Sequence, residues 1–572
     1  MDIDSSDEDN EFSDEDCNVD EEADSDWDSE DDIPLGKRIW DEDSDDDAPL
    51  STRIWKSYRV DDTEFKKFEF TVPRPGFQIP PEQRPLDPLG YFQLFFTDEL
   101  ISEIVVATNA YSLEKINRKR PLQRFSIWHD WVDVTVPEMK AFIGVILNMA
   151  INPKPEIVDY FSEDWLSKMP FFTDVFARKR FLQIFWMLHL PTGTTTSTKT
   201  PGSKTRHVSN QIMNKCQEYF VPNQKIAIDE STVGFKGRLL WKCYNPQKPT
   251  KWGLRIYCLC DSETSYIYCF VVYYGSTTTN GLIRSDQPFT SRIVLHLYLI
   301  DMLLSNAKGT GYQLYTDRFY TSPDLALELH KLKLHITGTV KTNRKNLPPN
   351  FKKLKLKKYE VKAYQKCSKI MALSFFDKRI VSMVSTCHNP DTELVKRTLK
   401  KGVSETYQKP KVIIDYTKNM GAVDRADHYC GSYAFTRKTV KWWRKLFFWL
   451  VEVAIVNSFH LWTIDRTEKM LQPMDHLQYR RKLIEQLVEG CRNRSRKRGR
   501  PSTTDDEERL NGKPHFIAKK PKKGTKDCAV CSNRNIPGGR KETSYFCETC
   551  TRKPGCHPGK CFKDYHTKKS YK

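Results

Sequence analysis

The sequence predicts a multidomain α/β protein, and three features of its 572 residues carry that prediction. Apolar residues at helical spacing dominate the stretch from about 88 to 190. Runs of strand length, rich in β-branched and aromatic residues and alternating with helical stretches, follow to 335. Two Cys-x2-Cys pairs with later Cys and His close the chain in the manner of a zinc module.

The net charge of +17 conceals an asymmetry. Residues 1–50 hold 24 Asp or Glu against Lys37 and Arg38, a net of −22, which leaves +39 on the other 522 residues. A body that basic points to a polyanion, and nucleic acid is favoured over membrane headgroups because no amphipathic basic helix stands out. No apolar run approaches bilayer length. Leu446–Val456 comes nearest, but it is short and interrupted by Glu452, so it reads as a buried helix. The N-terminus lacks a basic-then-apolar signal segment, so the 16 cysteines are expected to be mostly reduced.

In chain order, residues 1–56 are acidic, Ser-rich and too poor in apolar periodicity to fold, which predicts disorder. Ser5, Ser13, Ser25 and Ser29 precede acidic residues and fit acidophilic-kinase sites, and KRIW (37–40) is echoed by TRIW (52–55). Residues 88–215 read as a mainly helical dimerisation and DNA-binding domain. Thr97 is the expected cap of a helix through Leu100 and Ile104, VPEMKAFIGVILNMAI and ARKRFLQIFWMLHL form further helices, and 191–207 reads as a flexible loop. Residues 216–335 carry the strands QKIAIDEST, WGLRIYCLCD, SYIYCFVVYYG and GYQLYTD, with helices at RIVLHLYLIDMLLSN and SPDLALELHKLK. A basic, strand-rich insertion covers 336–411, VIIDY (412–416) reads as a buried strand, and a long helix is expected from about 420 to 465. Residues 476–526 read as a basic linker, and 527–572 as the cysteine-rich module.

Asp229 and Asp317 end apolar strands, and Asp424 opens a helix. Three carboxylates so presented suit two Mg²⁺ (or Mn²⁺) ions, which promote phosphodiester cleavage by positioning and charge neutralisation. Spacing alone leaves the alternative open, since a strand-end Asp is more often a cap or turn residue. In the C-terminal module, Cys528, Cys531, Cys547, Cys550, Cys556, Cys561, His557 and His566 supply eight potential ligands for two zinc ions with interleaved (cross-brace) pairing, His557 being the least regular in spacing. Alone, such a module serves DNA, protein or histone recognition equally.

The words around these residues resemble the piggyBac transposase family. IAIDESTVGFKGR (226–238), LYTDRFYTSPDL (314–325) and NMGAVDRADHY (419–429) are similar to its three catalytic blocks, in order. KWGLRIYCLCDSETSYI, ITGTVKTNRKNLP, VSMVSTCHN, IIDYTKNMG and RKTVKWWRKLFF resemble further blocks, so the likeness spans roughly 88–470 and resumes at the C-terminal cysteines. The resemblance implies a ribonuclease H-like catalytic core with Asp229, Asp317 and Asp424 as its triad and Asp427 as an assisting acid. It implies cut-and-paste DNA transposition through hairpinned ends at TTAA targets, a homodimer that pairs two inverted-repeat ends, and a C-terminal zinc domain that recognises end DNA. Arg318 stands where many members have Asn, and His428 where Gln is frequent; neither change removes an acidic ligand. A domesticated descendant that binds DNA or chromatin without transposing is the alternative.

Phosphate-contacting candidates are Lys236, Arg238, Lys251 and Arg255 near the first aspartate, and Lys341, Arg344 and Lys345 in the NRK block. For any one of them a solvated basic face is an equal reading. Trp442 and Trp443 read as core more readily than as base-stacking platforms. RNRSRKRGRP (492–501), with Arg498 and Arg500, fits a minor-groove hook and, with KKPKK (519–523), a nuclear signal; nuclear localisation is expected.

Overall fold

The computed structural model describes residues 55–58, 65, 67–193, 200–246, 248, 250–298, 309–398, 404–492, 508–520, 524–534, 536, 538–568 and 571. The acidic segment with its four serines, Arg498 and Arg500 lie outside the described residues.

The strand-forming runs build a ten-stranded sheet. Its main strands are β1 (Lys225–Gly234), β2 (Trp252–Asp261), β3 (Ile267–Val272), β4 (Gln313–Thr316), β5 (His335–Thr339), β6 (Val361–Lys366), β7 (Ile370–Phe376) and β8 (Ile380–Ser385). Five lie side by side in the order β3-β2-β1-β4-β5. β1, β2 and β3 form an antiparallel meander, while β4 and β5 run parallel to β1. This is the ribonuclease H-like core that the resemblance implied. Parallel neighbours need a crossover, and helix Pro323–Lys331 supplies it between β4 and β5.

The β-rich insertion is not set apart from this core. β8 pairs antiparallel with β5, and β7 and β6 extend the sheet outward. At its edge Lys56–Ser57 adds a short strand to β6, and Trp55, from the second of the two sequence echoes, donates its indole N–H to the Asn346 carbonyl (2.8 Å). Thr392–Thr398 and Ser404–Pro410 form a separate hairpin.

Among the helices, α1 (Asp98–Arg118) starts at Thr97, whose hydroxyl accepts from Leu100 N (3.3 Å). α2 (Val136–Ile151) opens with a capping box between Thr135 and Glu138. Three expectations are corrected further along. VIIDY lies in helix α3 (Lys411–Asn419), because Pro410 starts a helix there and a short apolar run has no period of its own. The helix expected over 420–465 is two helices, α4 (Ala422–Ser432) and α5 (Trp442–Glu468), separated by non-helical residues 433–441. The segment read as the start of a linker is helix α6 (His476–Val488), capped by Asp475. The predicted loop is also shorter, since Ser203 already begins helix Ser203–Tyr219.

α5 is long and apolar enough to cross a membrane, but 83% of its most apolar window is buried inside the protein. It passes through a core shared by the N-terminal helices, the sheet and α6: Phe447 meets Phe96, and Trp449 meets Phe270 edge-on. Glu452, the residue that interrupts the apolar run, is paired with the fully buried Arg480 of α6 at 2.6 and 2.8 Å. α2 and α6 approach so closely that a Cβ on Gly144 would fall 2.8 Å from Val488 Cγ1. The N-terminal helices therefore share one core with residues nearly four hundred positions later, rather than folding around their own.

Candidate functional site

Asp229 and Asp317 reach one cleft because β1 and β4 run parallel in register. Ile228 pairs with Thr316, one residue short of both aspartates. Each carboxylate is steadied by backbone: Glu230 N donates to Asp229 Oδ1 (2.9 Å) and Phe319 N to Asp317 Oδ1 (2.8 Å). Gly338 of β5 lies opposite Thr316, and a Cβ there would sit 2.5 Å from the Thr316 carbonyl and against the Thr321 hydroxyl. Only a glycine allows β5 to close on the strand that presents Asp317.

α4 lies across β1. Asp427 accepts a 2.5 Å hydrogen bond from Ser231, which shares a strand face with Asp229 two residues earlier. Arg425 donates to the Ser262 carbonyl (2.6 Å) and Ser265 hydroxyl (2.8 Å) in the β2–β3 turn, fastening the helix at its other side. Asp424 stands exposed in the first turn of α4. Tyr416 of α3 reports a shared environment. Burial first, then the charges of Asp317, Asp229 and Asp424, push its phenol up to about 12 against a bond from Thr339.

The electrostatics of this cleft are those of unneutralised carboxylates. Burial, then Glu230 and Asp317, hold Asp229 well above the usual carboxylate range. Burial and Glu230 raise Asp317 as well. Asp427 is pushed up to about 6 by burial, against the Ser231 bond and the Lys248 charge. Oxygen donors that repel one another in a partly desolvated cleft fit a hard divalent cation, whose charge would relieve them all. Sequence reading missed Glu230, Ser231 and Tyr416; only Glu230, adjacent to Asp229 in IAIDEST, carried a visible chemical signal.

The basic candidates divide. Lys236, Arg238, Lys251, Lys341 and Lys345 are exposed. Arg255 is half-buried on β2 opposite Thr232, where burial opposes its charge and Tyr257, Cys243 and Glu230 favour it. Arg344 donates to the Phe319 carbonyl and so braces the turn after Asp317. Trp443 is buried in the core, and Trp442 packs edge-on against Trp241.

The C-terminal module gathers two groups of ligand atoms, each group lying within 4.8 Å of itself: His515, Cys547, Cys550 and His566, and Cys528, Cys531, His557 and Cys561. In chain order the two sets interleave, as cross-brace pairing requires. The sequence assignment changes in one place. Cys556 belongs to neither group and is buried in the module's small core with Tyr565, while His515 takes the eighth position. His515 escaped notice because it precedes the first Cys-x2-Cys pair by 13 residues, two residues ahead of the strand Ile517–Lys519 that pairs with Tyr545–Cys547. Both later histidines are oriented from behind: the Phe562 carbonyl lies 2.8 Å from His566 Nδ1 and the Glu542 carbonyl 3.1 Å from His557 Nε2. Thiol and imidazole donors in fours fit zinc.

A ribonuclease H-like sheet with one carboxylate midway along its central strand and another just past the end of the parallel neighbour, joined to an interleaved Cys/His module, defines a transposase-type architecture. The family described as Transposase IS4 matches residues 87–459, and the DDE_Tnp_1-like zinc finger matches 510–567. The chain belongs to this transposase family, in its piggyBac branch. The human PiggyBac transposable element-derived protein 3 is 25% identical over 490 residues, covering 84% of this chain and 76% of that protein. The human PiggyBac transposable element-derived protein 2 is 23% identical, with the same coverage. A piggyBac transposase, solved as a synaptic complex with hairpin DNA, matches with a TM-score of 0.63 at 24% identity, over 79% of this chain and 90% of that one.

Proposed function

We propose that this protein is a nuclear DNA transposase that cuts and rejoins strands at Asp229, Asp317 and Asp424, with Asp427 assisting. The observation that carries the proposal is the in-register placement of Asp229 and Asp317 on parallel strands, with the acidic helix α4 fastened over the same face. Asp229, Asp317 and Asp424 would hold Mg²⁺ or Mn²⁺. Bound there, the ions would activate the attacking oxygen and neutralise charge on the leaving 3′-oxygen. The chain's own part is positioning. Ser231 and Arg425 fix α4, and Arg344 braces the Asp317 turn. Water attacks the phosphorus, and the bond to the 3′-oxygen breaks. The freed 3′-hydroxyl attacks the opposite strand to give a hairpin, and later a TTAA target. Lys236, Arg238, Lys251, Lys341 and Lys345 would hold the phosphate backbone, and the two-zinc module the terminal repeats, in a homodimer that pairs two ends. The hairpin DNA named for the similar solved structure supports this course.

A domesticated DNA- or chromatin-binding role is the second reading, favoured by human relatives that are named as transposable element-derived. An excision assay separates the two. Cells carrying a reporter interrupted by the cognate element should regain it with wild type and intact TTAA, but not with Asp229→Ala, Asp317→Ala or Asp424→Ala. Nuclear protein that binds the ends without excising establishes the second reading.

A further inference from the structure

Asp424 leaves an open question of placement. Asp229 and Asp317 are fixed by neighbouring strands, whereas Asp424 is exposed on a helix that reaches the site from outside the sheet. Its position is set by how the α3–α4 pair docks. α3 packs through the buried Val412 and Ile413 and is pinned by one half-buried carboxylate, that of Asp415, nine residues before Asp424.

Asp415 receives four donors. Lys225 Nζ reaches Oδ1 at 2.7 Å, Asn419 Nδ2 reaches the same oxygen at 3.0 Å, the Tyr315 hydroxyl donates to Oδ2, and His388 Nε2 lies 3.2 Å from Oδ2. Lys225 opens β1, four residues before Asp229 and on the same strand face. Tyr315 lies on β4, two residues before Asp317 and also on its face. One carboxylate thus ties the helix pair of the third aspartate to both strands that carry the other two. His388 is held from its other side, where Ser385 Oγ (2.9 Å), Cys387 Sγ (3.3 Å) and Thr337 Oγ1 (3.3 Å) surround Nδ1. It follows β8 and faces β5, so the clamp draws on the insertion strands as well.

We propose that Asp415, clamped by Lys225, Tyr315 and His388, is the positioning residue that sets Asp424 against Asp229 and Asp317. The inference rests on the proposed metal-dependent function and adds to it the element that assembles the site. It also gives the sheet extension a task, since β8 delivers His388.

The test uses the full-length protein with Asp415→Asn and the milder Tyr315→Phe, which removes one donor hydroxyl and leaves the ring in place. Asp377→Asn, which breaks an ion pair with Arg397 on the Thr392–Thr398 hairpin, serves as control. Calorimetric titration with Mn²⁺ alone, and cleavage of terminal-repeat DNA, are the two readouts. Asp415→Asn should weaken Mn²⁺ binding and lower kcat by roughly 10–100-fold, with KM for DNA unchanged. Tyr315→Phe should move both in the same direction by less, and Asp377→Asn neither. Unchanged Mn²⁺ affinity and kcat in folded Asp415→Asn and Tyr315→Phe overturn the proposal. So does a fall in DNA affinity alone. Wild type that binds Mn²⁺ but does not cleave refutes the proposed activity, and the Mn²⁺ titration of the variants then decides the role of Asp415 by itself.

Discussion

The exchange of Cys556 for His515 as a zinc ligand can be tested directly. In the structure His515 Nδ1 lies 3.7 Å from Cys547 Sγ and 3.5 Å from Cys550 Sγ, and its ring stacks on His566 with 4.1 Å between centroids. His515→Ala removes one of four donors. Structural zinc binds with about 10–16 kcal/mol, so one ligand in four is worth roughly 3–4 kcal/mol, a loss of affinity of about 10²–10³-fold. Cys556→Ala removes only a small buried side chain beside Tyr565, a packing cost of about 1 kcal/mol that leaves both donor sets whole. The assay is zinc content by elemental analysis of the full-length protein, followed by timed zinc release to a chromogenic chelator. Wild type and Cys556→Ala should both hold two zinc ions per chain. His515→Ala should hold one tightly and surrender the other quickly. One tight zinc in Cys556→Ala, with two retained in His515→Ala, would refute the assignment.

Three further outcomes are expected. Glu452→Gln should destabilise the protein by about 3–5 kcal/mol, seen as a lower thermal midpoint, because it strands the buried Arg480 charge; Glu452→Leu combined with Arg480→Met should recover most of that loss. The second concerns pH. Burial would lower the pKa of His388, but Asp415 and Cys387 outweigh it and push the group up to about 9. A raised folded value means that stabilisation is fully present below about pH 6.5 and is lost as pH rises through 9. Denaturant unfolding should therefore show wild type exceeding His388→Gln by up to about 3 kcal/mol at pH 6 and by little at pH 9.5; a gap that is constant with pH would exclude the clamp as its source. Finally, Gly338→Ala should impair folding or cleavage through the clash with the Thr316 carbonyl, whereas Ala at the open position Gly281 should be tolerated in the same expression and cleavage assays.

The clusters legible in the sequence were those whose chemistry is written locally. Cys547 and Cys550 announce a zinc pair by spacing, Thr97 announces a helix start, and Asp229 and Asp317 end apolar runs as strand-borne carboxylates do. VIIDY misled because an apolar run as short as Val412–Ile414 has no period, and its helix is decided by Pro410 and by the strands that Asp415 must face. The helix pair α4 and α5 was read as one because both halves have helical composition. Their separation follows from tertiary contacts, with Arg480 donating to the Tyr433 carbonyl just past the end of α4.

What the sequence determined by itself was therefore the inventory: an acidic leader, a basic body, strand-borne aspartates and thiol pairs in the order of the piggyBac blocks. The tertiary structure alone decided which of these meet. His515 joins cysteines more than thirty residues away, Arg344 turns from DNA toward the Phe319 carbonyl, and Asp415 gathers Lys225, Tyr315 and His388 from three strands' ends. The physical reason is range. Capping, periodicity and ligand spacing act over a few residues and are visible in order along the chain. Parallel strand register and buried polar pairing act between segments far apart along the chain, and they are fixed only when the core that excludes water has closed around them.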